Sequence, residues 1–137
     1  MLLDTKSPSQ AQVDSLLEEW KTDSKLDILE PSKELQKIGQ LHAKYLAILS
    51  AHRRAFKEAN RTFAKLKRIK YGYYSGRLDQ ETLKKYNWSP FPYTLKTDMT
   101  IYMDSDPDAL NAKRVIELHE EIVQVAESII KELNSRT

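Results

Sequence analysis

Between Ser32 and Tyr74 the chain has no proline, and its apolar side chains return at steps of three and four without a break. Ile38, Leu41, Tyr45, Ile48, His52, Ala55, Ala59, Thr62, Leu66, Ile69 and Tyr73 keep that alternation, the signature of one helical seam held over several heptads. Leu49, Phe56 and Phe63 recur at sevens beside it and widen the face. Before Gly72 the only glycine in the run is Gly39. A helix of about 40 residues is roughly 60 Å long and cannot cover such a face by itself. Partner helices are therefore required, from this chain or from other copies of it.

The flanking sequence supplies some of them. Ser9 with Gln12 fits a capping box ahead of Val13, Leu16, Leu17 and Trp20, which predicts a helix to about residue 23. Pro31 suits the first turn of the long helix, with Glu34 close behind, and Gly76 suits its end. "RLDQETLKKYNW" reads as a short helix or a turn, "SPFPY" as extended because each proline restrains its predecessor, and "TLKTDMTIYM" as extended from a weak alternation. "DSDPD" is a helix start, with Asp106 or Ser105 as cap and Pro107 in the first turn. From there to about residue 134, Ala112, Val115, His119, Ile122, Ala126, Ile129 and Leu133 repeat the seam, flanked by Ile116, Val123 and Ile130. The expected fold is all-α, with long helices in an oligomeric bundle and an irregular or extended linker near 86–104. One helical domain is expected over 1–137: an N-terminal helix and linker (1–30), the long basic helix (31–77), a linker (78–104) and a C-terminal helix (105–137). Oligomerisation is assigned to Val115, Ile116, Ile122, Val123, Ile129, Ile130 and Leu133.

Absent features narrow the class. There is no cysteine, which removes disulfides and thiolate zinc sites and fits a reducing compartment. No apolar stretch nears a membrane span, and the N-terminus lacks the pattern of a signal peptide, so a cytoplasmic protein is expected. His52 and His119 occupy seam positions, where a core or interface histidine is the better reading, and His42 lies beside the seam. "GYYSGR" does not match a phosphate loop. Asp104, Asp106 and Asp108 alternate like the start of a calcium loop, but Pro107 interrupts them and a helix cap explains them better. An enzyme, a metal site and a cofactor are all unexpected.

Charge points to a partner. The net charge of +2 conceals −4 over residues 1–34, +11 over 35–97 and −5 over 98–137. Arg54, Lys57, Arg61, Lys65 and Arg68 fall in one stripe of the long helix, away from the seam, and from residue 51 to 77 only Glu58 is acidic. Like charges a turn apart repel by a few tenths of a kcal/mol, a cost recovered when an anion arrives. Lys67, Lys70, Tyr71, Tyr73, Tyr74 and Arg77 follow at once. Cations with aromatics suit single-stranded nucleic acid, whose base faces are open. Tyr71 and Tyr74 are the freer rings, since Tyr73 keeps the seam register. Three readings stay open on pattern alone: a solvated basic face, a helical scaffold docking an acidic protein, and a nucleic-acid surface.

Tyr73, Tyr74, Ser75, Gly76 and Arg77, "YYSGR", with the basic helix ahead of them, resemble the UvsY family, recombination mediators of T-even-like bacteriophages. A Lys-x-Arg ahead of the tyrosines contributes to DNA binding in that family. The matching positions here are Arg68 and Lys70, and position 72, acidic in a family member, is Gly72. The resemblance implies a homo-oligomeric ring, a hexamer or heptamer, that binds single-stranded DNA. It also implies contacts with a phage UvsX-type recombinase and a phage single-strand-binding protein, loading the first onto DNA covered by the second. The processes served would be recombination, repair and recombination-dependent replication. Arg54, Lys57, Arg61, Lys65, Lys67, Arg68, Lys70, Tyr71, Tyr74 and Arg77 are the expected DNA-binding residues.

Overall fold

A computed structural model describes residues 2–25, 31–91 and 97–136. Among them the regular structure is helical: α1 (Gln10–Asp23), α2 (Pro31–Tyr74), α3 (Gln80–Tyr86), α4 (Met99–Ser105) and α5 (Pro107–Ser135). The all-α expectation holds, with α2 and α5 dominant. No helix among the described residues is long and apolar enough to cross a membrane.

Each helix end has a local cause. Ser9 is the N-cap of α1, and its hydroxyl accepts from the Gln12 amide at 3.3 Å. The Gln12 side chain does not close the box; it donates instead to the Asp4 carbonyl at 2.7 Å. α2 stops at Gly76, whose φ of 71° is open to glycine at little cost. There the Arg77 amide reaches the Gly72 carbonyl at 2.9 Å and the Gly76 amide reaches Tyr73 at 3.0 Å, a Schellman ending. α3 ends the same way on Asn87, φ 56°, with the Trp88 amide bonded to the Leu83 carbonyl. Asp106 caps α5 through a 2.9 Å bond from the Ala109 amide.

Residues 99–103, expected to be extended, are helical. Met99 is buried and Met103 half-buried, four apart on one helical face, and the Ile101 amide bonds the Asp98 carbonyl at 3.1 Å. The weak alternation was a helix with two inward methionines, so the segment 86–104 is not linker throughout. The proposed extension at "SPFPY" falls partly on residues 92–96, which lie outside the described residues.

Two compact units share the long helices: residues 1–58 with 115–137, and residues 59–114. The first holds the apolar core. Val13 and Leu16 of α1, Ile38, Leu41, Tyr45 and Ile48 of α2, and Leu118, Ile122, Ile129 and Leu133 of α5 cluster with Leu2. Leu16, Ile122 and Leu133 are fully buried, each contributing about 1.5–3 kcal/mol. The seam from Ile38 to His52 thus finds its partners within the chain, whereas from Ala55 to Tyr73 it is at most half-buried and Thr62 is exposed. Ile116, Ile122, Ile129 and Leu133, assigned above to contacts between copies, are buried inside the single chain, while Val115, Val123 and Ile130 stay half-buried.

Polar groups tie the edges of this unit. Lys44 pairs with Asp23 at 2.7 Å and Glu19 at 3.0 Å, and the Tyr45 hydroxyl donates to Asp23 at 2.8 Å. His52 and His119 meet Nδ1 to Nδ1 at 2.9 Å, with His52 Nε2 2.7 Å from the Leu2 carbonyl. That carbonyl can only accept, so His52 Nε2 is the donor of that bond. Burial and then the neighbouring His52 hold His119 below its ordinary value.

Candidate nucleic-acid interface

α2 turns one side to solvent. In the first unit Arg54 and Lys57 are exposed; in the second, Arg61, Lys65, Lys67 and Arg68 are exposed. Among the described residues Arg54, Lys57, Lys65 and Arg68 have no ion-pair partner, and Lys67 lies 5.2 Å from the Phe63 ring centroid. The adjacent Arg53 is different: Glu127 holds it at 2.6 Å. Arg77 is exposed just past the glycine cap. Arg54, Lys57, Lys65 and Arg68 thus stand open to solvent.

Lys70 departs from the expected set. It is 4% exposed, with its ammonium 3.1 Å from Asp106 and 2.8 Å from Asp108. The same nitrogen lies 4.1 Å from the centroid of Trp88. Burial would lower this ammonium, but the two carboxylates outweigh it and hold it above 10.5. Asp106, 2% exposed, also accepts from the Tyr74 hydroxyl at 2.5 Å and from the Ala109 amide. Burial pushes its carboxyl up; these donors and Lys70 prevail and hold it below 3.8. Lys70 is an internal cation that joins the end of α2 to the start of α5, and it is not on the open stripe.

The tyrosines divide similarly. Tyr71 is 45% exposed. Tyr74 is half-buried and packs edge-on against Phe91 at 4.9 Å and stacked with Tyr102 at 5.7 Å. Burial and the Asp106 carboxylate raise its hydroxyl above the ordinary value. Tyr74 is therefore part of the aromatic packing of this unit and does not offer a free ring. Tyr73 contacts Trp88 and Phe91 and donates to the Ser89 carbonyl at 2.8 Å.

Two side chains on α3, Lys84 and Lys85, and the ring of Tyr86 were missed from the sequence. All three are exposed, and Tyr86 stacks on Trp88 with centroids 4.6 Å apart and planes 18° from parallel. The available signal was the run Lys84-Lys85-Tyr86 followed by Asn87, a residue suited to a left-handed helix end.

Among the described residues no group of three or more His, Cys, Asp or Glu side chains is arranged to hold a metal. Asp106, from the calcium-like alternation, is spent on the Lys70 pair and the α5 cap.

The sequence model of one family, described as "UvsY: Recombination, repair and ssDNA binding protein UvsY", matches residues 19–137. No curated protein and no solved structure matches the chain.

Proposed function

The chain belongs to the UvsY family, and on that premise we propose that it binds single-stranded DNA through the exposed cations of α2 and acts as a recombination mediator. In this reading Arg54, Lys57, Lys65, Lys67 and Arg68 neutralise phosphates, with Arg61 and Arg77 beside them and Tyr71 available to a base. The chain works as a homo-oligomeric ring, which multiplies a weak site into an avid one. It holds the strand so that recombinase can nucleate where single-strand-binding protein has been. Half-buried Val115, Val123 and Ile130 and exposed Leu17 and Leu110 are among the apolar positions of α1 and α5 left for contacts between copies.

The observation that carries the reading is the row of solvent-facing cations on α2, of which Arg54, Lys57, Lys65 and Arg68 have no ion-pair partner among the described residues. A merely soluble helix interleaves acids to relieve that repulsion. Lys70 is excluded from the set because its charge is already neutralised.

Anisotropy of a labelled oligothymidylate across a salt series tests this. Each phosphate contact on a single strand contributes a slope of about −0.7 in log K against log salt. Replacing Lys65 and Arg68 by alanine should flatten the slope by about 1.4 while the mass by light scattering stays constant. An unchanged slope, or equal affinity for duplex, would refute the assignment. Binding to an acidic protein with indifference to DNA would favour the scaffold alternative.

A further inference from the structure

We propose that Tyr86, backed by Trp88, is a stacking seat for an unpaired nucleobase, with Lys84 and Lys85 receiving the phosphates that flank it. The inference rests on the single-strand reading above and adds a site on α3 to the cations of α2.

Residues two apart on a helix do not face each other. Here the left-handed Asn87, φ 56°, ends α3 and folds Trp88 back onto Tyr86. The result is a near-parallel pair of rings, 18° apart in plane, whose outer member is 36% exposed while Trp88 is half-buried. Trp88 is fixed from within: Lys70 lies 4.1 Å from its centroid and Tyr73 5.1 Å. Tyr86 is thus a flat ring held on a rigid support, and a stacked base costs it little ordering entropy.

Charge completes the site. Lys84 and Lys85 occupy the last turn of α3, and Lys85 Nζ lies 5.6 Å from the Tyr86 centroid. Among the described residues neither lysine has an ion-pair partner; the helix's own acids, Asp79 and Glu81, sit at its opposite end. A cavity of about 370 Å³ opens beside the ring pair, walled by Gln80, Leu83, Lys84, Asn87, Trp88 and Pro90, so that it shares Lys84 and Trp88 with the seat. Amides, an ammonium and an indole in this opening, next to the exposed Tyr86 ring and Lys85, suit a nucleotide: planar, anionic and rich in donors and acceptors. An acidic peptide would use the lysines but leave the exposed ring without a planar partner.

Trp88 reports on the site directly. Of the chain's 2 tryptophans, the other, Trp20, can be replaced by phenylalanine, leaving Trp88 as the sole indole. Titration with oligothymidylate should change Trp88 emission in step with the anisotropy of the labelled strand. Tyr86→Phe should bind as the parent, whereas Tyr86→Leu, which fills similar space without a π-face, should weaken binding about 5- to 150-fold at an unchanged salt slope. Strand bound with Trp88 silent and Tyr86→Leu unaffected would overturn the stacking seat and leave the α2 reading standing. Failure to bind any strand would overturn both. Equal quenching by duplex would also defeat it, since paired bases cannot reach the ring.

Discussion

Replacing Lys70 by methionine separates a structural cation from a DNA-binding one. The substitution keeps the length of the stem and removes a buried ammonium that lies 3.1 Å from Asp106 and 2.8 Å from Asp108. The two acids respond differently. Asp108, 59% exposed in its side chain, returns to water at little cost. Asp106, 1% exposed in its side chain, cannot. It keeps the Tyr74 hydroxyl and the Ala109 amide but loses its only cation among the described residues. Removing one partner of a buried pair costs about 3–5 kcal/mol. The two surviving hydrogen bonds place this case near the lower end, about 3 kcal/mol, to which loss of the Trp88 contact adds about 0.5–1 kcal/mol. Urea unfolding followed by the helical circular-dichroism signal measures the change. Combining Lys70→Met with Asp106→Asn should recover at least about 1 kcal/mol, because the amide can still cap α5 and carries no stranded charge. Under folding conditions Lys70→Met should leave the salt slope of DNA binding as it was. Stability within about 0.5 kcal/mol of the parent, with the slope flattened, would refute the internal role and return Lys70 to the phosphate-binding set.

Stability should fall at both ends of the pH scale, for identifiable reasons. Asp106 and Asp23 are held below 3.8, so their contribution is complete above that value and is lost as pH drops through their lower folded values. His119, favoured neutral, adds stability that is full above 6.5 and declines as pH falls through its depressed folded value. Lys70 and Tyr74 are raised, so what they contribute is intact below 10.5 and 10.0 and disappears as pH climbs through their folded values. Thermal midpoints across pH check this, and Asp106→Asn should flatten the acid limb. Gly76→Ala should cost about 1–2 kcal/mol, since alanine at φ 71° meets the left-handed penalty; an unshifted urea midpoint would show that this helix end is not fixed by its glycine.

Much of the fold could be read from periodicity and caps. The 44-residue α2 follows from a proline-free seam, and α1 and α5 begin where Ser9 and Asp106 supply side-chain acceptors. What was hidden depends on residues far apart in sequence. Lys70 meets Asp106 and Asp108 only after the intervening chain has folded back, yet one clue was present. Leu49, Phe56 and Phe63 recur at sevens, and the next position in that row is 70. A lysine standing in an inward-facing row requires acids to meet it, and the acids were the helix cap. The apolar seam was legible, but the choice between partners in the same chain and partners in other copies was not, because periodicity specifies a face and not what covers it. α4 escaped notice because seven residues give too few turns for either period to prevail. Of the interface, the exposed stripe was legible from charge spacing, whereas the stacked Tyr86 and Trp88 depend on a left-handed turn that spacing does not encode.

Gly72 has a consequence for how this chain and its relatives can differ. A β-carbon built there would lie 3.2 Å from the Leu78 side chain, which already fills that space. A side chain at position 72 therefore requires the Leu78 methyl to give way by a few tenths of an ångström. Relatives with a carboxylate or any larger group at the site of Gly72 should carry something smaller than leucine, or a shifted turn, at the site of Leu78. A larger residue placed at position 72 alone should cost more stability than the same change made together with a smaller residue at position 78.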